Sequence, residues 1–227
     1  SVAIGDGIRR ITTGMLIAAD GARSRLREAL GVDASVSDYR QNAVVTTIAT
    51  ARPHRNTAYE RFTDTGPLAV LPLDDDRCSV VWTVARETCD TVLGWDDDAF
   101  MAKLQEQFGF RLGEIERVAR RAAYPLYLVQ ARQQTRPRAV LLGNAAHGLH
   151  PVAGQGFNLS LRDVAALAET LAEHVDDPGG PRMLAQYDDW RRVDQKKVIA
   201  FTDGLVRVFT NPLFPVKMAR SVALTTL

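Results

Sequence analysis

The sequence predicts an α+β fold, with an antiparallel sheet followed by helices. Three observations carry that reading. The middle of the chain holds short runs rich in β-branched and aromatic residues, cut by Pro, Gly and Asp. From Gln155 onward, apolar residues recur at steps of three and four instead. Between the two regions lies a strand-like run that passes through Gly-x-Gly into a helix, "LLGNAAHGLHPVAGQGFNLSL".

Taken in order, "SVAIGDGIRRITTGMLIAADG" reads as a short strand, a Gly5-Asp6-Gly7 turn and an apolar strand ending at Ala18. "SRLREALG" reads as a short helix capped by Ser24 and closed by Gly31. "NAVVTTIATA", "TAYERFTD", "GPLAVLPL" and "RCSVVWTVAR" then form a β meander. "GWDDDAFMAKLQEQFG" is a helix: Asp residues fill its first turn, Phe100, Leu104 and Phe108 share a face, and Gly109 ends it. "AAYPLYLVQAR" and "RAVLLG" are again strands. After Gln155, the residues Phe157, Leu161, Val164, Ala168 and Leu171 form one apolar stripe, taken as the buried face of a helix. Pro178-Gly179-Gly180-Pro181 breaks the chain. A long helix follows, with Leu184, Tyr187, Trp190/Arg191, Val198, Phe201, Leu205 and Val208 on one side. The expected boundaries are 1–31, 32–130, 131–180 and 181–227.

Composition excludes several function classes. At 227 residues the chain can bury a real core, with 46% apolar and 24% charged residues. A net charge of +1, with the signs interspersed, gives no field that would attract nucleic acid. Cys78 and Cys89 are too few for a disulfide framework and read as thiols of a reducing cytoplasm. No run approaches the ~18 apolar residues of a membrane span. The expected location is cytoplasmic, with a peripheral position at the inner membrane as the alternative.

The loop after "RAVLLG" carries the chemistry. The strand delivers Gly143-Asn144 at its carboxyl end, where ligands of α/β folds sit. Asn144 offers a donor and an acceptor. Gly154 and Gly156 remove the side chains that would block a close approach. The helix beginning near Phe157 aims unpaired N–H groups and a positive dipole end at the same place, which favours an electron-rich or anionic group. On spacing alone this is a cofactor loop or plain strand-to-helix architecture. It is not a dinucleotide fingerprint, because the third glycine is missing and the strand lies more than ten residues away.

A resemblance bears on that choice. "LLGNAAHGLHPVAGQGFNLSLRDVAALAETL" resembles the second flavin-contact motif of the class A flavin-dependent aromatic hydroxylases, the para-hydroxybenzoate hydroxylase fold. "MLIAADGARSRLREALG" resembles their Asp-Gly-x-x-Ser-x-x-Arg motif, matched at Asp20, Gly21, Ser24 and Arg27. "YERFTDTGPLAVLPLDDDRCSVVWTV" is similar to the substrate-side sheet of the ubiquinone-biosynthesis branch. Gly-Asn in place of Gly-Asp points within that branch to the 2-octaprenyl-6-methoxyphenol hydroxylase subgroup.

The resemblance implies an α/β parent, with an antiparallel substrate-domain sheet joined to the carboxyl-terminal helical part of an FAD domain. It implies FAD as cofactor, NAD(P)H as reductant, oxygen, and hydroxylation of a polyprenyl phenol ring. The flavin does the chemistry, so no catalytic side chain is assigned. By motif, Asn144 and its neighbour Gly143 would hold the ribityl or pyrophosphate region. Pro151, Gly154, Gln155, Gly156, Phe157 and Asn158 would line the isoalloxazine. Asp20, Gly21 and Arg27 would lie near the diphosphate. Gly66 and Pro67 would wall the substrate cavity, with Tyr59, Arg61 and Trp82 as neighbours.

The Gly-x-Gly-x-x-Gly unit that grips the pyrophosphate in this family does not occur in residues 1–227. The chain is therefore expected to be an inactive fragment of a longer enzyme, with residues before Ser1 missing. The alternatives are a non-catalytic interaction module of a quinone-biosynthesis complex, a homo-oligomer, or a flavin hydroxylase of another aromatic substrate. His147 and His150 lack the neighbouring carboxylates or thiols of a metal site, so no metal is assigned. Ser160, His147 and Asp163 lack the nucleophile elbow of a hydrolase, and Asp163 reads as an anchor of its own helix. In "GLVRVFTNPLFPVKMARSVALTTL", Leu213, Phe214, Val216 and Met218 beside Lys217 and Arg220 read as helix packing or as a face for membrane or partner.

Overall fold

A computed structural model describes residues 2–4, 7–74 and 76–209. The strands in chain order are β1 (Val2–Ile4), β2 (Gly7–Arg9), β3 (Leu16–Ala18), β4 (Ala34–Thr50), β5 (Tyr59–Thr63), β6 (Gly66–Pro72), β7 (Arg77–Ala85), β8 (Ile115–Val118), β9 (Ala122–Ala131), β10 (Thr135–Arg136), β11 (Ala139–Leu141) and β12 (His147–Gly148). The helices are α1 (Arg25–Ala29), α2 (Cys89–Gly94), α3 (Asp97–Phe108), α4 (Gln155–Glu173) and α5 (Pro181–Phe209). The α+β class holds. The chain divides into two compact units, one of residues 1–37 and 128–200, the other of 38–127 and 201–227.

The second unit is built on antiparallel pairing. β4 pairs with β7, β7 with β6, and β6 with β5, while β8 joins β4. Directly opposed residues share a face of a sheet. Val44, Trp82 and Leu68 therefore stand together, as do Thr46, Val80 and Val70. This face carries the apolar core and is covered by α2 and α3, whose Val92, Phe100, Leu104 and Phe108 are buried against it. α3 forms as its sequence dictates. Asp96 accepts a hydrogen bond from the Ala99 amide at 2.7 Å, acids occupy the first turn, and Gly109 leaves the helix at φ +82°. α2 and β8 escape the sequence reading because each is only a turn or so long.

The opposite face of this sheet carries Thr83, Ala43 and Pro67. Phe62, the register partner of Pro67, stacks on Phe209 with ring centroids 3.7 Å apart. Gly66 sits at φ +132°, and a Cβ there would lie 2.6 Å from the Thr83 methyl carbon. Only glycine fits this position.

In the first unit β3 and β11 run parallel, with β10 antiparallel on the far side of β11. Val140 of β11 packs with Ala166, Leu167, Met183, Leu184 and Tyr187 from α4 and α5. Here the structure corrects the sequence. The stripe Phe157, Leu161, Val164 and Ala168 is exposed, and Leu171 is only partly buried. The buried face of α4 is Leu159, Asp163, Ala166, Leu167 and Thr170. On α5 the expected Trp190, Phe201 and Val208 are exposed, while Leu184, Tyr187, Arg191, Gln195, Thr202, Val206 and Phe209 are buried. Those steps of three and four keep one continuous helical stripe, but polar residues hold several of its positions. Leu213, Phe214, Val216, Lys217, Met218 and Arg220 lie outside the described residues.

Gly66→Ala is expected to cost about 2–4 kcal/mol, combining left-handed strain with the collision against Thr83. Adding Thr83→Ser should restore the collision part only. Chemical denaturation of the parent and the two variants checks this, and an undiminished stability for Gly66→Ala would contradict the reading.

Candidate functional site

The candidate site is assembled in the first unit where β11 ends. Gly143 turns the chain at φ +58°, a 3-10 turn spans Gly143–Ala145, and a second spans Val152–Gly154 before α4 begins at Gln155. Gly154 precedes the helix in the left-handed region, at φ +61°. It offers no side chain to cap the helix, and the first turn contains no acid. The first amides of α4 thus keep their positive end uncompensated by any local carboxylate. Pro151, Gly154, Phe157 and Asn158 are exposed, Gln155 and Gly156 half-buried. Nothing lies within 4 Å of the Cβ position of Gly154, and Phe157 holds its ring 72% exposed beside it. This open, uncapped and glycine-flanked helix end suits a planar electron-rich group with partial negative charge.

The other expected contacts are placed around the same loop. Asp20 caps the approach to α1: its carboxylate accepts from the Ser24 hydroxyl, and from the Leu26 amide at 3.1 Å. Some loss of water around the carboxylate works to raise the Asp20 pKa, but the Ser24 and Leu26 donors outweigh it and hold the exposed carboxyl below its ordinary value. Gly21 takes φ +88° directly after it. Asn144 is exposed, with no side-chain hydrogen bond among the described residues. Arg27 is placed differently from the rest. It is buried and donates from Nη1 to the Ala145 carbonyl at 2.9 Å and from Nη2 to the Ala22 carbonyl at 3.1 Å. Its guanidinium clamps one motif onto the other.

The substrate-side residues do not come together. Gly66 and Pro67 border the Thr83 face of the sheet. Trp82 is in the helix-covered core against Trp95 and Phe100, Tyr59 packs edge-on to Phe108, and Arg61 donates to the Phe108 carbonyl at 3.0 Å. The pleat sends successive side chains to opposite faces, and that separates the five.

Behind the loop lies a buried polar cluster that the sequence reading did not assemble. Asp163, eight residues into α4, is fully buried and accepts three hydrogen bonds. They come from His147 Nε2 of β12 at 2.5 Å, Arg191 Nε of α5 at 2.6 Å and Gln195 Nε2 at 2.9 Å. Gln195 in turn exchanges amide hydrogen bonds with Gln134. Burial alone would raise the Asp163 pKa, yet these donors lower it below the ordinary carboxylate range. Ser160 gives its hydroxyl to the Gly156 carbonyl at 2.9 Å and takes no part, so no nucleophile–base pair forms. Burial pushes the neighbouring Tyr187 phenol up and pushes His150 down to about 4. Among the described residues no group of His, Cys, Asp and Glu is arranged to hold a metal, and no described helix is long and apolar enough to cross a membrane. The one signal available earlier was a polar residue at each buried step: Asp163 on α4, and Arg191 and Gln195 on α5.

Known proteins resemble this chain in sequence and fold. Residues 4–202 match a family model described as an FAD binding domain. The chain is 41% identical over 227 residues to the ubiquinone hydroxylase UbiL of Rhodospirillum rubrum, covering 99% of this chain and 53% of that protein. It is 30% identical over 257 residues to the mitochondrial ubiquinone biosynthesis monooxygenase COQ6 of Homo sapiens, covering 97% of this chain and 55% of that protein. The chain thus spans about half the length of the curated relatives it matches. Among solved structures, pqsL, a probable FAD-dependent monooxygenase from Pseudomonas aeruginosa, shares the fold. Its TM-score is 0.72 at 23% identity, over 87% of this chain and 57% of that one.

Two outcomes are expected of the buried groups. Asp163→Ala, which leaves Arg191 buried with Asp194 alone as its carboxylate partner, should cost about 3 kcal/mol, the low end for breaking a buried pair, and Asp163→Leu/Arg191→Met distinctly less. Denaturant midpoints decide this, and a loss under about 1 kcal/mol for the single variant would contradict it. His150 titrates near 4 folded against 6.5 unfolded, so the unfolded chain binds more protons between those values. Its contribution to stability is complete above pH 6.5 and is lost as pH falls towards 4. The melting temperature of His150→Asn should therefore fall less steeply than that of the parent across this window; equal slopes would count against it.

Proposed function

Because the chain belongs to the FAD-binding-domain family, we propose that it is part of an FAD-dependent monooxygenase that hydroxylates the ring of a polyprenyl phenol in ubiquinone biosynthesis. The observation that carries the reading is the exposed, uncapped start of α4, with Gly154 and Gly156 on its approach and Phe157 beside it. Two relatives support the substrate class through their names, ubiquinone hydroxylase and ubiquinone biosynthesis monooxygenase. NAD(P)H would be the reductant.

When bound, FAD supplies the activation of oxygen, one atom going to the ring and the other leaving as water with the two electrons of the nicotinamide. The residues of this chain bind and orient. Amides of the first turn of α4 would stabilise negative charge at the pyrimidine edge of the flavin. Gly154 and Gly156 would let the backbone come close, with Pro151, Gln155, Phe157 and Asn158 around the ring. Asn144 and Gly143 would take the ribityl or pyrophosphate region. There the amide side chain offers hydrogen bonds without the carboxylate charge that would repel a diphosphate. Asp20 and Gly21 would border the diphosphate, with Arg27 holding the two motif loops in register. Gly66 and Pro67 would lie on the substrate side of the sheet, with Tyr59, Arg61 and Trp82 acting through the core behind it. A peripheral contact with the inner membrane would bring an apolar polyprenyl phenol within reach, and assembly with other quinone-biosynthesis proteins would hand it on.

FAD titration, followed by flavin fluorescence and the visible spectrum, tests this. Saturable binding is expected in the micromolar range, weakened about tenfold or more by Gly154→Asp, which sets a carboxylate where the electron-rich group belongs. The same variant should keep its melting temperature, because an acid at a helix start is favourable by about 0.3–1 kcal/mol and offsets the left-handed strain. If neither this chain nor the chain joined to the amino-terminal half of the Rhodospirillum rubrum relative binds FAD, the reading fails.

A further inference from the structure

A second concave site lies wholly within the first unit, apart from the loop at the start of α4. It is a groove of about 870 Å³. One wall is the stretch 130–138, through β10. The other is a single face of α5, with Pro181, Leu184, Asp188, Arg192, Lys196 and Ile199 at steps of three and four. From Pro181 to Ile199 is 18 residue steps, so the groove follows the helix for about 27 Å. That is too long for a lone ion and fits an extended organic molecule.

Its charge is one-sided. Arg132, Arg136, Arg138, Arg192 and Lys196 line it against a single acid, Asp188. Arg138 is paired with Asp177, and Arg192 with Asp189. Arg136 gives Nη2 to the Gly31 carbonyl at 2.7 Å, which leaves its charge uncompensated, and its Nε is buried without a partner. Arg132 and Lys196 have no side-chain partner among the described residues. Three unneutralised cations thus stand against one carboxylate.

The floor asks for a different group. His147 belongs to it and is fully buried. Asp163 already accepts from Arg191 and Gln195 as a carboxylate and has no hydrogen to give, so the proton of the 2.5 Å contact sits on His147 Nε2. Nδ1 is buried as well, and no described partner reaches it. A buried polar atom left open in the floor of a polar groove calls for a ligand hydroxyl, which can give or take the hydrogen bond.

Anionic groups at the rim and a hydroxyl at the floor belong to one class of molecule. We infer that this groove binds a hydroxylated phosphate ester, with phosphate oxygens on Arg132, Arg136 and Lys196 and a hydroxyl hydrogen-bonded to His147 Nδ1. Guanidinium forks match phosphate oxygens, and Leu184, Ala185 and Ile199 offer an apolar wall to the uncharged remainder. Two sources carry this chemistry, the ribose phosphate of a nucleotide and the glycerol phosphate of a lipid headgroup. The inference does not use the flavin reading.

The test is calorimetric titration of the 227-residue chain with ADP, beside flotation with vesicles of phosphatidylcholine alone or mixed with phosphatidylglycerol. Saturable ADP binding identifies the nucleotide source; flotation only with phosphatidylglycerol identifies the lipid. In either arm Arg132→Ala/Lys196→Ala should weaken binding about tenfold or more while leaving the melting temperature unchanged, since both side chains are exposed and unpaired. The Nδ1 nitrogen resonance of His147 should also move on ligand addition, as a ring nitrogen gaining a hydrogen bond does. Gly154→Asp should leave this binding intact. Binding lost in Gly154→Asp but kept in the groove variant would overturn the inference while sparing the flavin site. So would no binding of either probe, or a His147 resonance that stays still at saturation.

Discussion

The first unit depends on one buried carboxylate. Asp163 has no contact with water and accepts hydrogen bonds from three elements at once: His147 of β12, and Arg191 and Gln195 of α5, with Gln134 linked behind. Burying an unpaired carboxylate would be prohibitive, so the cluster exists only when every partner is in place. That condition fixes α4 in rotation and in axial position against α5 and the loop Gly143–Gly148. The open helix end where the candidate cofactor loop converges is thus held from behind by an ionic contact, not by the loop itself.

The same logic explains why the loop can afford its conformation. Gly143, Gly154 and Gly21 all adopt positive φ, and none of those turns is braced by a local side-chain cap on α4. Rigidity is imported: Arg27 reaches from α1 to the Ala145 carbonyl, and His147 to Asp163. A binding loop that must expose its amides cannot also satisfy them internally, so fixed points beside it supply the order. In the second unit the division of labour is between faces of one sheet. Apolar residues under α2 and α3 hold it together, while the tight approach of Gly66 to Thr83 shapes the other side.

Much of this was legible in the sequence, for reasons that can be named. The meander showed because Val, Thr and Ile alternate between punctuating Pro, Gly and Asp. α3 showed because Asp96, the acidic first turn and Gly109 bracket Phe100, Leu104 and Phe108. The loop was legible from Gly154 and Gly156 ahead of a helical period, and the family from two motifs in the right order, which residues 4–202 bear out. What was not legible turned on burial. Period analysis finds a helix but scores its faces by apolarity, so it placed Phe157, Leu161 and Val164 inside and missed Asp163 and Thr170. On α5 it left Trp190 and Arg191 undivided, took Phe201 rather than Thr202, and passed over Gln195 for the same reason. Nor could a motif say that Trp82 and Pro67, close in the sheet, point to opposite sides of it.

α4 consequently has two apolar faces, and hydrophobicity alone does not choose between them. Phe157, Leu161 and Val164 would bury at least as much apolar surface as Leu159, Ala166 and Leu167 if the helix turned over. Turning it over would carry Asp163 into solvent and strip buried Arg191, His147 and Gln195 of their shared acceptor, leaving Arg191 only Asp194, at a cost of several kcal/mol. The carboxylate therefore selects the helix face against a competing apolar stripe, and in doing so keeps Phe157 outside, on the first turn of the helix. A helix apolar on both sides belongs to a packed interior. The ionic cluster decides which side the first unit keeps for its own core and which it leaves for what binds.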